Sequence, residues 1–248
     1  MYWGPYVPVA ERRARAEREL AKQAKRTGET PSPVRIEGKA IVTTFWGKAW
    51  CENLERYSDF ANRLPRGRTY VRNGSVLDLR IEPGAVRARV AGQSLYTIDI
   101  QVRRLAAARW RSLKRECTGK IGSLVGLLRG QLSADVLALL ARPRTGLFPE
   151  PADLSMDCSC PDWAGMCKHI AASLYGVGAR LDAQPELFFA LREVDQAELI
   201  SAAAETAVVP ARRARKVKEI APDQLGAVFG IDLEEPLPAR IRSRKPKG

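Results

Sequence analysis

The chain has 248 residues, of which 45% are hydrophobic and 28% are charged, a composition typical of a soluble globular protein with one or two domains. It carries 41 Lys plus Arg against 28 Asp plus Glu, and the net charge of +13 predicts attraction to polyanions, with a solvated basic surface as the alternative. Five cysteines do not make a disulfide scaffold in a chain of this length. Because the sequence shows neither a secretory signal nor an uninterrupted apolar span, it predicts a cytoplasmic protein with no membrane segment.

Residues 1–35 are predicted to form a basic N-terminal arm and linker. Residues 11–26 are rich in Ala, Glu, Arg and Lys, and Leu20 is their only large aliphatic residue. This pattern favours an exposed helix or a disordered arm. Residues 27–33 contain helix breakers and are expected to form a linker, so folded structure is expected to start near Ile36.

Residues 36–141 are predicted to form an α+β domain. Apolar residues recur at helical spacing through residues 46–62, and residues 64–67 are expected to end this helix. Alternating apolar residues then predict an antiparallel β-meander of about four strands packed with helices. The strands are expected at residues 70–71, 76–81, 86–90 and 96–102, with turns at Asn73-Gly74, 82–84 and 91–92. Helices are expected at residues 105–113, 120–128 and 133–140.

Residues 142–205 are predicted to hold a metal-stabilised helical segment. A loop at residues 142–151 precedes a cysteine cluster, and helices are expected at residues 170–176 and 185–194, with an extension at residues 198–204. Residues 206–248 are rich in Arg, Lys and Pro and are predicted to be a largely disordered basic tail with a short apolar motif.

The cluster contains Cys158, Cys160, Cys167 and His169, and His169 is the only histidine of the chain. Four such ligands within a short segment suit one tetrahedral Zn²⁺ ion. Residues i and i+2 of an extended segment project to the same side, so Cys158 and Cys160 can bind one ion together. Because protein would fill all four positions, the zinc is predicted to be structural. Buried free cysteines beside a buried histidine, or a redox Cys-x-Cys pair, remain as alternatives.

The spacing Cys-x-Cys-x(6)-Cys-x-His resembles the SWIM zinc finger, and further segments resemble bacterial SWIM proteins. These segments are residues 44–50 (TFWGKAW), 64–68 (LPRGR), 158–163 (CSCPDW), 167–172 (CKHIAA) and 188–192 (FFALR). The resemblance covers roughly residues 38–195. It implies a finger that binds DNA or protein partners, and an association with Swi/Snf-type helicase-like ATPases.

Arginines cluster in and around the meander and before the next helix, where they could form a phosphate-binding surface or a solvated face. The candidate nucleic-acid contacts are Arg66, Arg68, Arg72, Arg87, Arg89, Arg103, Arg104, Arg109 and Lys168. The aromatic residues Trp46, Trp50 and Trp163 are predicted to lie in the core, because each has apolar neighbours. Cys51 and Cys117 are predicted to be single buried residues.

The sequence favours a binding protein over an enzyme. With His169 committed to metal, no histidine remains as a general base, and no phosphate-binding glycine loop is present. A Mg²⁺ site formed by Asp78, Glu82 and Asp99 is the remaining enzymatic alternative. We therefore expect a DNA-binding accessory protein, DNA being preferred over RNA. The alternative is an interaction adaptor that docks a helicase-like ATPase.

Overall fold

The computed structural model describes residues 7–56, 62–118, 120 and 132–208. Most of the helix expected at residues 120–128 and the tail beyond residue 208, with its apolar motif, lie outside the described residues. The helices are α1 (Val9–Thr27), α2 (Phe45–Glu55), α3 (Leu64–Arg72), α4 (Ala107–Thr118), α5 (Ala134–Leu140), α6 (Lys168–Ala183), α7 (Leu187–Leu191) and α8 (Ala197–Val208). The strands are β1 (Val76–Glu82), β2 (Ala85–Ala91), β3 (Leu95–Val102) and β4 (Leu154–Cys158).

The four strands form one antiparallel sheet in the order β1-β2-β3-β4. This confirms the predicted α+β class with a four-stranded antiparallel sheet. One predicted strand is wrong, however, because residues 70–71 lie in α3 and the fourth strand is β4. That strand leads directly into the cysteine cluster, and it places Cys158 opposite Ile98 of β3.

Residues 64–67 form the first turn of α3, whereas the sequence predicts that they end the preceding helix. Pro65 lies in the first turn of α3, where a missing backbone N–H costs nothing because that turn has no intrahelical acceptor. The pair Asn73-Gly74 ends the helix: Gly74 has a φ of +66°, and its N–H donates to the carbonyl of Val71 at 3.0 Å. The same residue pair that suits a hairpin turn therefore serves here as a helix C-terminus.

One hydrophobic core joins the meander to the segment that carries the cysteines. The inner face of the sheet is formed by buried residues such as Val86, Val90 and Ile98, and α6 packs in the same cluster with Ala171 and Leu174 fully buried. The sequence left open whether the two predicted regions share a core, and the structure shows that they do. The described residues belong to one compact unit that ends at Val208.

The N-terminal helix is packed, which corrects the expectation of an exposed or disordered arm. In α1, Ala16 and Leu20 are buried at i, i+4 spacing against Leu77 and Ala91 of the sheet. The following segment runs beside β1, where the N–H of Val34 donates to the carbonyl of Val76 at 3.0 Å. Packed structure therefore starts well before Ile36, since two small apolar contacts are enough to dock an otherwise charged helix.

Trp50 lies in the core as predicted, and Trp46 packs against the core. Trp50 is 1% exposed, and its indole N–H donates to the carbonyl of Leu174 at 2.9 Å. Trp46 is partly buried and donates to the carbonyl of Leu181 at 2.8 Å. Both bonds attach α2 to α6. Over the described stretches of the chain, no helix is both long and apolar enough to cross a bilayer.

Candidate metal centre

The first pair of cysteines lies at the end of β4. Cys158 is the last residue of the strand, and the ladder continues one residue further, because the N–H of Ser159 donates to the carbonyl of Thr97 at 3.0 Å. The hydroxyl of Ser159 in turn accepts from the N–H of Thr97 at 3.0 Å. This extended backbone lets Cys158 and Cys160 project to the same side.

The second pair lies at the start of α6. Cys167 is the N-cap residue and His169 lies in the first turn, as expected from the spacing. The loop between the pairs is held from both sides: Asp162 accepts from the N–H of Ala164 at 3.3 Å and forms an ion pair with Arg63 at 3.3 Å. Met166 anchors the end of the loop in the core, with no exposed surface.

The four side chains converge on one point. Their ligand atoms all lie within 4.8 Å of one another, and Nδ1 of His169 lies 3.9 Å from Sγ of Cys158 and 3.8 Å from Sγ of Cys167. A tetrahedral zinc with bonds of about 2.3 Å to sulfur separates its sulfurs by about 3.8 Å. The cluster therefore has a size that could hold a metal ion, with Nδ1 as the imidazole ligand.

The thiols of the cluster interact with one another. The pKa of Cys167 is lowered, first by a hydrogen bond from the Cys158 thiol, with burial opposing and the imidazole of His169 and backbone amides at the start of α6 assisting. The pKa of Cys158 is raised because its proton is held in that bond and because it is buried. A thiolate is therefore already favoured at Cys167, which suits a metal ligand.

Packing fixes the outer side of the imidazole. His169 is 1% exposed and lies between Tyr70, at a ring-centroid distance of 5.3 Å, and Tyr96, at 4.4 Å. Its Nε2 has no hydrogen-bond partner in the described part of the chain. Gly92 lies against it, and a Cβ added there would be 2.8 Å from Nε2. Contacts with the two tyrosine rings and with Gly92 therefore orient the imidazole. No hydrogen-bond acceptor among the described residues does so.

The remaining two cysteines behave differently from the cluster. Cys117 is fully buried, as predicted, while Cys51 is only partly buried. Burial raises the pKa of Cys117 to about 11 and that of Cys51 to about 12. Both thiols therefore stay protonated at neutral pH and are poor metal ligands.

Comparison with known proteins identifies a relative of this chain. It is described as "Uncharacterized protein Rv2102" from Mycobacterium tuberculosis strain H37Rv, and it is 32% identical over 208 residues, which cover 80% of this chain and 75% of the relative. The chain belongs to the same family as Rv2102. No family model matches the chain, and no solved structure matches it significantly.

In this member of the Rv2102 family, the predicted nucleic-acid contacts fall on separate surfaces. The cluster lies where Ile98 pairs with Cys158, whereas β3 continues to Val102 at the other end of the sheet. Arg66, Arg68 and Arg72 of α3 and Lys168 of α6 lie on the elements of the cluster end. Arg103, Arg104 and Arg109 follow β3 at the far end, and Arg87 and Arg89 lie on β2 opposite Asp99 and Thr97 of β3.

Several of these basic residues are already held within the protein. Arg68 pairs with Glu55, and its Nε donates to the hydroxyl of Tyr175 at 2.9 Å. Arg87 lies 3.2 Å from Glu82 and 3.6 Å from Asp99. Arg103 lies 3.7 Å from Asp153, and Arg89 bonds to Thr97. Arg66, Arg72 and Arg104, by contrast, are exposed, and no carboxylate of the described residues pairs with them.

Arg192 is a buried charged residue that sequence analysis did not single out. Its side chain is 2% exposed, and Nη1 lies 3.0 Å from Asp153. Burial and then the nearby Arg192 lower the pKa of Arg109, whose Nε and Nη2 have no partner among the described residues. A lone arginine after an apolar run carries no local signal of burial, so the sequence could not have identified this residue.

Trp163 is on the surface, which corrects its assignment to the core. Its side chain is 95% exposed, and it lies in the loop between Cys160 and Cys167. Both cysteines turn inward to the cluster, and the chain between them therefore has to bulge outward. Apolar neighbours in the sequence predicted burial, but the ligand geometry places this indole in solvent.

The carboxylates of the alternative Mg²⁺ site have other partners. Asp78 accepts from the N–H of Ser32 at 2.7 Å and lies 3.5 Å from Arg80. Glu82 and Asp99 both pair with Arg87. The three carboxylates therefore belong to a charge-balanced face of the sheet.

Proposed function

We propose that Cys158, Cys160, Cys167 and His169 bind one Zn²⁺ ion in a SWIM-type finger. The donor set supports zinc, because three thiolates and one imidazole are the ligands that tetrahedral zinc prefers. The convergence of all four ligand atoms within 4.8 Å is the observation that carries this proposal. The ion would link the end of β4 to the start of α6 and so stabilise the loop between them.

The proposed zinc has a structural role, and the protein acts as a binding module. Four protein ligands complete a tetrahedron and leave no position for a catalytic water. Three thiolates and a neutral imidazole around Zn²⁺ carry a net charge of −1. The amides of the first turn of α6 lie beside this charge and would offset it, and Lys168 in the same turn adds a positive charge nearby.

We further propose that the protein binds nucleic acid, with DNA preferred, as an accessory factor in DNA transactions. The supporting observation is a group of cations around the finger. Arg66 and Arg72 of α3 are exposed and unpaired among the described residues. The neighbouring α1 carries seven basic and three acidic residues, and its Arg13 donates to the carbonyl of Asn73 at 2.9 Å.

The basic helices and the finger are adjacent. Arg12 of α1, Tyr70 of α3 and Gly92 line one small cavity of about 90 Å³, and Tyr70 and Gly92 also contact His169. Losing zinc would therefore disturb the packing beneath these cations. The basic surface would supply contacts to phosphates that do not depend on base sequence.

Fluorescence anisotropy of labelled duplex DNA tests this function. Zinc-loaded protein is titrated at several salt concentrations, and log affinity is expected to fall linearly with log salt. The double variant Arg66→Ala/Arg72→Ala should reduce the slope by about one for each phosphate that is no longer neutralised. Arg87→Ala is the matched control, because Arg87 is already paired with Glu82 and Asp99.

The outcomes separate two functions. Salt-dependent binding that weakens in the double variant and not in the control supports the proposal. No binding at physiological salt would contradict it, and an adaptor that docks a helicase-like ATPase would then be the better hypothesis.

A further inference from the structure

Trp163 is the most exposed large aromatic side chain among the residues that the structure describes. It is 95% exposed, whereas Trp50 and Trp110 are 1% and 5% exposed. Among the described residues, Phe45 is the other large aromatic that is clearly exposed, at 43%, and its ring rests on Trp46 at a centroid distance of 5.1 Å. An indole left in water forgoes the burial that stabilises the others, so the Trp163 side chain is available to bind a partner.

The loop that presents Trp163 is held at several points. Its neighbour Asp162 accepts from the N–H of Ala164 and pairs with Arg63. Cys160 and Cys167 at the two ends of the loop belong to the cluster, and Met166 is buried. The indole is therefore presented by a constrained loop, and binding a partner there would cost little conformational entropy.

The charges near this loop favour an anionic partner. Asp162 is neutralised by its ion pair with Arg63. Lys168 and the exposed Arg66 lie on α6 and α3, the two helices that flank the cluster. Arg63 contacts Asp162 of the loop and directly precedes α3. The first turn of α3, which carries Arg66, therefore lies near Trp163. A flat aromatic face near cations matches a nucleotide, in which a base is next to a phosphate.

We propose that Trp163 stacks on an unpaired base and gives this protein a preference for single-stranded nucleic acid. The inference rests on the proposed nucleic-acid binding and goes beyond it. Bases inside a duplex already stack on their neighbours on both faces, and inserting an indole there costs unstacking energy, so an indole stacks most readily on unpaired bases. The cations hold the backbone, and Trp163 holds one base.

The test compares Trp163→Ala with Trp163→Phe on single-stranded and duplex DNA of equal length. Anisotropy is measured with zinc-loaded protein at one salt concentration. The alanine variant is expected to lose about 5- to 150-fold in affinity for the single strand, the range for removing one stack, and less than about twofold for the duplex. The phenylalanine variant should lose less, because it keeps an aromatic face. The control is Phe45→Ala, at the other exposed aromatic.

Three results separate this inference from the function on which it rests. If the wild type binds neither DNA, the proposed function fails and the stacking role fails with it. If the wild type binds both and Trp163→Ala weakens both equally or neither, nucleic-acid binding stands and the stacking role is wrong; Trp163 would then be free to dock a protein. A loss confined to the single strand, with an unchanged salt slope because the same phosphates stay neutralised, supports the stacking role. The zinc content and melting temperature of Trp163→Ala should match those of the wild type, because the Trp163 side chain is 95% exposed and makes few contacts within the protein.

Discussion

Gly92 lies directly against the imidazole of His169, and no side chain fits between them. A Cβ at Gly92 would be 2.8 Å from Nε2 of His169 and 2.6 Å from Cε2 of Tyr96, closer than real Cβ contacts. This candidate metal ligand is thus positioned by a glycine that is distant in sequence.

Gly92→Ala is therefore expected to displace His169. The overpacked site should lower the free energy of unfolding by about 1–3 kcal/mol, and the misplaced ligand should weaken zinc binding roughly tenfold or more. Competition with a chromogenic chelator measures the affinity, and urea denaturation measures the stability. Gln93→Ala, at the exposed neighbouring position, is the control. Unchanged zinc affinity in Gly92→Ala would show that the ring can move without cost.

Cys167→Ser is expected to reduce the zinc content and to loosen the segment around the finger. Cys167 is fully buried at the N-terminus of α6, and a serine hydroxyl does not replace a thiolate ligand. Zinc per protein is measured by elemental analysis, and melting temperature is measured with and without chelator. In the wild type, chelator should lower the melting temperature, because zinc bound only to the folded state stabilises it.

Cys51→Ser is the matched control for that experiment, because Cys51 lies outside the cluster. It should keep both the zinc and the response to chelator. A Cys167→Ser protein with full metal content and full stability would contradict the proposed ligand set.

Arg192→Met and Arg103→Met together test how much more a buried ion pair with Asp153 contributes to the free energy of unfolding than an exposed one. Both arginines contact Asp153, but the Arg192 side chain is 2% exposed and the Arg103 side chain is 70% exposed. Losing the buried, charge-assisted bond should cost about 2–3 kcal/mol, whereas the exposed pair should contribute less than about 1 kcal/mol. Urea denaturation at neutral pH measures both. Equal effects would show that Asp153 does not depend on the buried partner.

Asp182 links the end of α6 to the start of α2, and its contribution should depend on pH. Its carboxylate accepts from the N–H groups of Thr43 and Thr44, both at 2.9 Å, and from both hydroxyls. Although burial alone would raise the pKa of Asp182, these hydrogen bonds lower it. The stabilisation is therefore complete above the unfolded pKa of about 3.9 and is lost as the pH falls through the lower pKa of the folded state.

Asp182→Asn is accordingly expected to destabilise the protein by about 1.5–3 kcal/mol at pH 7, since an amide NH₂ would face a backbone donor. The difference from wild type should shrink as the pH is lowered below 4. Urea denaturation across this pH range measures it, with Glu52→Gln, an exposed residue of α2, as the control. A difference that stays constant with pH would assign the effect to packing and not to the charge.

Local patterns were sufficient for the three strands β1, β2 and β3 and for the ligand cluster. The alternation at Val86, Ala88 and Val90 predicted β2 because the two faces of a strand differ in burial over a period of two residues. The spacing of Cys158, Cys160, Cys167 and His169 predicted their convergence because an extended pair followed by a tight loop leaves few other arrangements. Each of these signals comes from residues that are neighbours in the chain.

Helix α3 and strand β4 could not be predicted in the same way. Asn73-Gly74 suits a hairpin turn and a helix C-terminus alike, because both need a residue with positive φ. The residues of β4 form a strand because β3 offers a free edge, where Ile98 meets Cys158. A sheet edge is a property of the assembled fold, and nothing in residues 154–158 identifies it.

The residue types and their spacing predicted the ligands of the candidate centre, because the identity of each ligand and its distance along the chain from the others are local properties. The surroundings of the centre were a matter of packing between distant segments: the glycine that supports His169, the burial of Arg192 beside Asp153, and the exposure of Trp163. Burial depends on which surfaces meet when helices and sheet assemble. Two tryptophans with similar apolar neighbours, Trp50 and Trp163, therefore ended at opposite extremes of exposure.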